Sequence, residues 1–99
     1  MLVHSVFFTL KESISEEDRA TFINQVGLLA NIETVDSFHI GTPAATPDRP
    51  VIQKNYDVAL TVILKSLKDH DIYQDHQIHL DFIANNNHLW KNVVIYDVD

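Results

Sequence analysis

The stretch that most constrains this chain is Leu2-Val3-His4-Ser5-Val6-Phe7-Phe8-Thr9-Leu10. Its β-branched and aromatic content favours a strand, and a strand sends alternate side chains to opposite faces. Leu2, His4, Val6, Phe8 and Leu10 fall on one side, Val3, Ser5, Phe7 and Thr9 on the other, and neither set is polar. A strand apolar on both faces has to be covered on both. A chain of 99 residues makes a single domain over 1–99, and a domain of that size buries only about two-thirds of the surface its unfolded chain exposes. With no cysteine for disulfides, association with a second copy is the natural supplement.

The rest of the chain alternates helical and strand-like patterns. Ser15 stands three residues before Asp18, with Glu16 and Glu17 between them, so a capping hydroxyl and three carboxylates meet the positive end of a helix. Phe22, Val26 and Leu29, widened by Ile23 and Ala30, form its apolar stripe. Thr34 to Gly41 alternates as a second strand. Thr42 to Asn55 holds Pro43, Pro47 and Pro50 and is a loop of unusual length for a compact domain. Asn55 to Leu64 is a third strand, the most apolar and therefore central, with Asp57 in a structural role. Ser66 before Asp69 repeats the cap and opens a short helix to about Asp75. After a break near His76 and Gln77 the helix resumes from Ile78 to Trp90, fraying at Asn85, Asn86 and Asn87. Asn92 to Val98 is a fourth strand, and Trp90 before it is expected at a core margin or interface. The order β-α-β-loop-β-α-β is the split pattern of ferredoxin-like α+β domains with a four-stranded antiparallel sheet. Both helices then cover one face. On the bare face Leu2, Val6, Phe8, Val58, Leu60 and Val62 are expected to form an apolar patch larger than soluble monomers expose, which predicts a face-to-face homodimer.

Composition narrows the function. Fourteen acidic residues against seven basic ones give a net charge of −7, and the basic residues are scattered, which argues against nucleic acid. No apolar run approaches the roughly 20 residues of a membrane span, so a cytoplasmic protein without membrane contact is expected. The absence of cysteine excludes a thiol nucleophile. G-x-G-x-x-G, Walker A and G-x-S-x-G motifs are all missing.

What remains is histidine, the side chain best placed to exchange protons near neutral pH. Six are present, with His4 on the first strand and His70, His76, His79 and His88 along the second helical region. Tyr73, His76 and His79 follow one another at i, i+3, so an unbroken helix would place them on one side. In a catalytic reading an imidazole takes a proton while a phenol donates to a developing oxyanion. In a metal reading His76 and His79 join Asp75 or Asp71, although histidine pairs on zinc-binding helices more often use i, i+4. In a structural reading His76 and His79 cap the short helix through backbone bonds.

The opening Val3-His4-Ser5-Val6-Phe7-Phe8-Thr9-Leu10-Lys11, the strand Tyr56-Asp57-Val58-Ala59-Leu60, the stretch Tyr73-Gln74-Asp75-His76-Gln77-Ile78-His79 and the closing Val93-Val94-Ile95-Tyr96-Asp97 resemble the stress-responsive A/B barrel domain (Dabb) family over essentially the whole chain. The family's Tyr, two residues, His-Pro-x-His signature is matched at Tyr73, His76 and His79, with Gln77 in place of the proline. The resemblance implies a dimeric α/β barrel with a pocket in each subunit between the sheet and the second helical region. The family includes a plant polyketide cyclase in which the signature Tyr and second His act on an enolisable chain. Carried over, the catalytic positions are His79 as base, Tyr73 as oxyanion donor and His4 assisting. Val6, Phe8 and Leu60 would line the pocket wall and Phe22, Val26 and Leu29 would face it from the first helix, with His76 among the ligand contacts. No cofactor or metal is implied. Three functions follow: a module that binds a small hydrophobic carbonyl or phenolic ligand, linked to stress physiology; a cofactor-free cyclase-like lyase or isomerase; and a cofactorless monooxygenase.

Overall fold

A computed structural model describes residues 1–99. The elements are β1 (Leu2–Leu10), α1 (Glu16–Gly27) with a 3-10 turn over Leu28–Asn31, β2 (Val35–Gly41), β3 (Val58–Leu64), α2 (Leu67–Asp75), α3 (Gln77–Asn86) and β4 (Trp90–Val98). The strands form one antiparallel sheet in the order β2-β3-β1-β4, so the two most apolar strands are the inner ones. No helix is long and apolar enough to cross a membrane.

Register decides which parity of β1 meets the helices. Val6 lies opposite Leu60 and Phe8 opposite Val58, and this set, with Leu2 and Val62, sits beneath the helices at no more than 5% exposure. The six residues expected on the bare face are therefore the core. Because both parities of β1 are apolar, alternation alone had no means of choosing between them. The face left without helices carries Val3, Phe7, Ala59, Ile63, Val94, Tyr96 and Val98 interleaved with Ser5, Thr9, Ser37, His39, Thr61 and Asn92, with Tyr96 and Val98 each 63% exposed.

Local signals set the helix ends. The Ser15 hydroxyl accepts from the Asp18 N–H at 3.0 Å and the Ser66 hydroxyl from the Asp69 N–H at 3.2 Å. From α1, Phe22 and Val26 enter the core fully buried, and the 3-10 turn adds Leu29. The ring of Phe22 meets Phe8 edge-on at 5.1 Å between centroids. Each such aromatic buried contributes on the order of 1.5–3 kcal/mol. At the end of the long β2–β3 loop, Asp57 accepts the Leu10 N–H at 2.7 Å and an Arg19 guanidinium N–H at 3.1 Å. It thereby joins β1, α1 and the loop, which is the structural role expected of it.

The second helical region breaks at His76, whose backbone is extended at φ −66° and ψ 142°. Its Nδ1 accepts the Ile78 N–H at 3.1 Å, so one residue ends α2 and caps α3. The helix expected to run on to Trp90 stops at Asn86, whose buried side chain donates to the Phe82 carbonyl at 2.9 Å. Trp90 begins β4 instead.

Candidate functional site

Between the sheet and α3 lies a cavity of about 130 Å³. Its floor is His4, Val6 and Phe8 of β1, Leu60 of β3, and Val93 and Ile95 of β4; its roof is Leu29, Tyr73, Gln74, His79, Phe82 and Ile83, with Trp90 at one end. β4 is an edge strand, and Ile95 at 48% exposure and Ile83 at 38% mark the side on which the cavity reaches the surface.

Two polar groups stand out in this apolar lining. Tyr73 is wholly buried and its hydroxyl has no hydrogen-bond partner in the protein. His79 lies beside it, ring centroids 5.0 Å apart, and its Nδ1 is likewise buried and unpartnered. Burial raises the Tyr73 pKa above the ordinary phenol range, because ionisation would leave a charge out of water. Burial is also the main reason the His79 pKa falls below its ordinary value; His4 and His70 add to the effect, while the Gln74 backbone and Asp75 oppose it. At neutral pH the cavity thus presents a phenolic O–H donor next to an uncharged imidazole.

His4 completes the polar corner. It is 2% exposed, and its ring lies edge-on to Tyr73 at 5.8 Å and to His70 at 5.3 Å between centroids. Its Nδ1 is 2.5 Å from an Asp97 carboxylate oxygen, a contact set up by β1–β4 register, which places His4 opposite Asp97.

The structure brings His4, Val6, Phe8, Leu29, Leu60, Tyr73 and His79 together around this cavity. Phe22 and Val26 lie in the core outside its lining; Phe22 sits one layer behind, packed on Phe8, Phe82 and Trp90, whose rings do line it. His76 is also outside it. The break that His76 creates turns the ring outward, where Nε2–H donates to Glu33 at 3.1 Å. Tyr73, His76 and His79 therefore do not share a face, since their helical spacing is interrupted at its middle member. Phe82, Ile83, Val93 and Ile95, and the partnership of Asp97 with His4, went unread in the sequence. Placing β4 against β1 in antiparallel register would have found Val93 opposite Phe8 and Ile95 opposite Val6.

A four-stranded antiparallel sheet with its three helices on one face is a ferredoxin-like α+β fold. Residues 2–99 match the profile of the Stress responsive A/B Barrel Domain, Dabb, and the chain belongs to that family. No curated protein matches it in sequence. Among solved structures it is similar to a protein from Arabidopsis thaliana, with TM-score 0.83, 20% identity, and coverage of 100% of this chain and 94% of the other. The hydroxynitrile lyase of Passiflora edulis gives TM-score 0.81 at 21% identity, with 98% and 90% of the two chains covered. A dimeric ferredoxin-like protein from Thermobifida fusca gives 0.79 at 20% identity, with 98% and 88% covered. At such identities the likeness establishes the fold.

Proposed function

We propose that the chain is a homodimer that binds, in the cavity of each subunit, a compact and largely apolar molecule bearing one carbonyl or phenolic oxygen. The observation that carries this reading is the pair of unpartnered buried groups, the Tyr73 hydroxyl and His79 Nδ1, inside an apolar wall. A buried donor or acceptor left without a partner costs about 1–3 kcal/mol, and a ligand oxygen at that corner relieves the cost. Size supports a small ligand, since an apolar cavity of about 150 Å³ holds benzene. The family's description ties such domains to stress responses, and a metabolite of this shape formed under stress fits the proposal. Dimerisation is supported by the exposed apolar side chains of the helix-free face, Val94, Tyr96 and Val98 among them, and by the dimeric structural neighbour.

One observation favours a second reading, proton transfer without a cofactor. A neutral imidazole beside a phenol held in its protonated form is a base next to an oxyanion donor, and one structural neighbour is a hydroxynitrile lyase. In this chemistry His79 removes a proton from a carbon or hydroxyl while Tyr73 donates to the oxygen that gains charge. The monooxygenase alternative has no observation in its favour.

A single probe separates binding from chemistry. 4-Hydroxyacetophenone carries a phenol, a carbonyl and an enolisable methyl group, and toluene is its apolar control. Ligand-observed NMR in D₂O is expected to show 4-hydroxyacetophenone bound, with Tyr73→Phe weakening it about 5- to 10-fold and leaving toluene unchanged. Loss of the methyl signal by deuterium exchange, abolished in His79→Ala, would establish the proton-transfer reading. Equal affinity of wild type and Tyr73→Phe for the probe would remove the oxygen-recognition proposal.

A further inference from the structure

We propose that His4, His70 and Asp97 form a site for one divalent transition-metal ion, best matched by Zn²⁺. The site touches the cavity only through His4 and does not depend on the identity of the cavity's ligand. Its ligand atoms, one from each residue, all lie within 4.8 Å of one another. They come from three elements, β1, α2 and β4, that the tertiary fold brings together.

His70 supplies the decisive detail. Its Nδ1 is 3.1 Å from the Asp71 carboxylate, so the Nδ1–H donates there, and in the neutral ring Nε2 carries the lone pair. That Nε2 is buried and has no hydrogen-bond partner; its nearest charged neighbour is the second Asp97 oxygen at 4.0 Å. A lone pair and a carboxylate facing each other across such a gap repel unless something positive stands between them. Asp97 already holds His4 Nδ1 through its other oxygen. Two imidazole nitrogens and a carboxylate converging on one point are a typical protein ligand set for zinc with a fourth position open. Tetrahedral zinc bonds of about 2.0–2.1 Å place donor atoms about 3.3 Å apart, so Asp97 must move away from His4 Nδ1 and toward His70 Nε2, and its carboxylate, 42% exposed near the end of the edge strand, is free to make that shift. Metal-bound histidines characteristically donate their other ring N–H to a carboxylate, and Asp71 is already in that position for His70. A metal on His4 Nδ1 leaves that ring's one proton on Nε2.

The full chain, stripped with EDTA and dialysed, is titrated with Zn²⁺ against a chromophoric chelator and separately with Co²⁺. One Zn²⁺ per chain and the visible bands of low-coordinate cobalt are expected. His70→Ala and Asp97→Asn, which alter a direct ligand, are expected to weaken zinc binding by more than the loss of about 10- to 100-fold expected of Asp71→Asn, which removes only the carboxylate behind His70. His76→Ala and His88→Ala are expected to leave it unchanged. Both His70 and Asp97 are partly exposed, so these variants should fold, which far-UV circular dichroism verifies. Failure to bind stoichiometric Zn²⁺ overturns the proposal, a proton then occupying the gap between His70 and Asp97. Binding that survives His70→Ala and Asp97→Asn also overturns it, by placing the metal elsewhere.

Discussion

Tyr73 and His79 carry the proposed function, and each makes a prediction that does not need the ligand. The Tyr73 hydroxyl is buried without a partner, so removing it should not destabilise the free protein. Thermal or urea unfolding of Tyr73→Phe is expected to match wild type or exceed it by up to about 1 kcal/mol, and a clear loss would mean that the hydroxyl has a structural partner. His79 has a lowered pKa when folded, so the unfolded chain takes up its proton first as pH falls. The folded state then loses stability from the ordinary histidine value of 6.5 downward, until the pH passes His79's own lowered pKa. Between those limits, in the presence of a chelator, His79→Gln should show a shallower decline of unfolding free energy than wild type. Both residues were visible in the sequence through their i, i+3 spacing with His76 and the family signature. Their burial was not, because whether a histidine faces solvent or a cavity depends on how α3 sits on the sheet. Asp97 shows the same limit: nothing local distinguishes it from other acidic residues, and only the register of two strands 93 positions apart in contact brings it to His4.

At the level of elements, the caps were the most legible feature. Ser15 and Ser66 each begin a helix by a hydrogen bond to the N–H three residues on, a contact that needs no tertiary information. The break at His76 was legible as a position but not as a direction, since an extended residue between two helices reorients everything beyond it. His76 holds α3 by its cap bond and by Glu33, so His76→Ala is expected to cost about 1 kcal/mol, or roughly 4–8 °C in Tm for a domain of this size. The neighbouring Gln77, where the family signature has proline, is the first residue of α3. That position lacks an intrahelical use for its N–H and suits proline, and the extended backbone of His76 is compatible with a following proline. Gln77→Pro should therefore stabilise the chain by up to about 1 kcal/mol through the unfolded state, less the exposed Gln77–Asp81 hydrogen bond it removes. A scanning-calorimetry Tm below wild type would show that the turn is strained in a way its backbone angles do not reveal.

For the molecule as a whole, β1 has apolar residues on both faces, and the face expected to be bare is the one the helices cover. Even-numbered residues of β1 meet the helices, and Phe7 lies on the other side, where it packs edge-on with Tyr56 at 5.1 Å and Tyr96 at 6.2 Å between centroids. Sedimentation velocity at micromolar concentration is expected to give a dimer for wild type and a monomer for Phe7→Glu, since a carboxylate there would be buried without a partner. A monomeric wild type would sink the dimer proposal and leave an apolar surface to be explained otherwise. The His76 break has one more consequence. The sheet fixes the cavity floor through strand pairing, whereas the roof is assembled from the 3-10 turn (Leu29), the end of α2 (Tyr73 and Gln74) and one face of the ten-residue α3 (His79, Phe82 and Ile83). Substitutions confined to that helix can deepen or narrow the space while every strand keeps its register. The design is that of a vice with one fixed jaw, the sheet, and one interchangeable jaw, the helical roof, whose shape sequence change can alter without disturbing the frame.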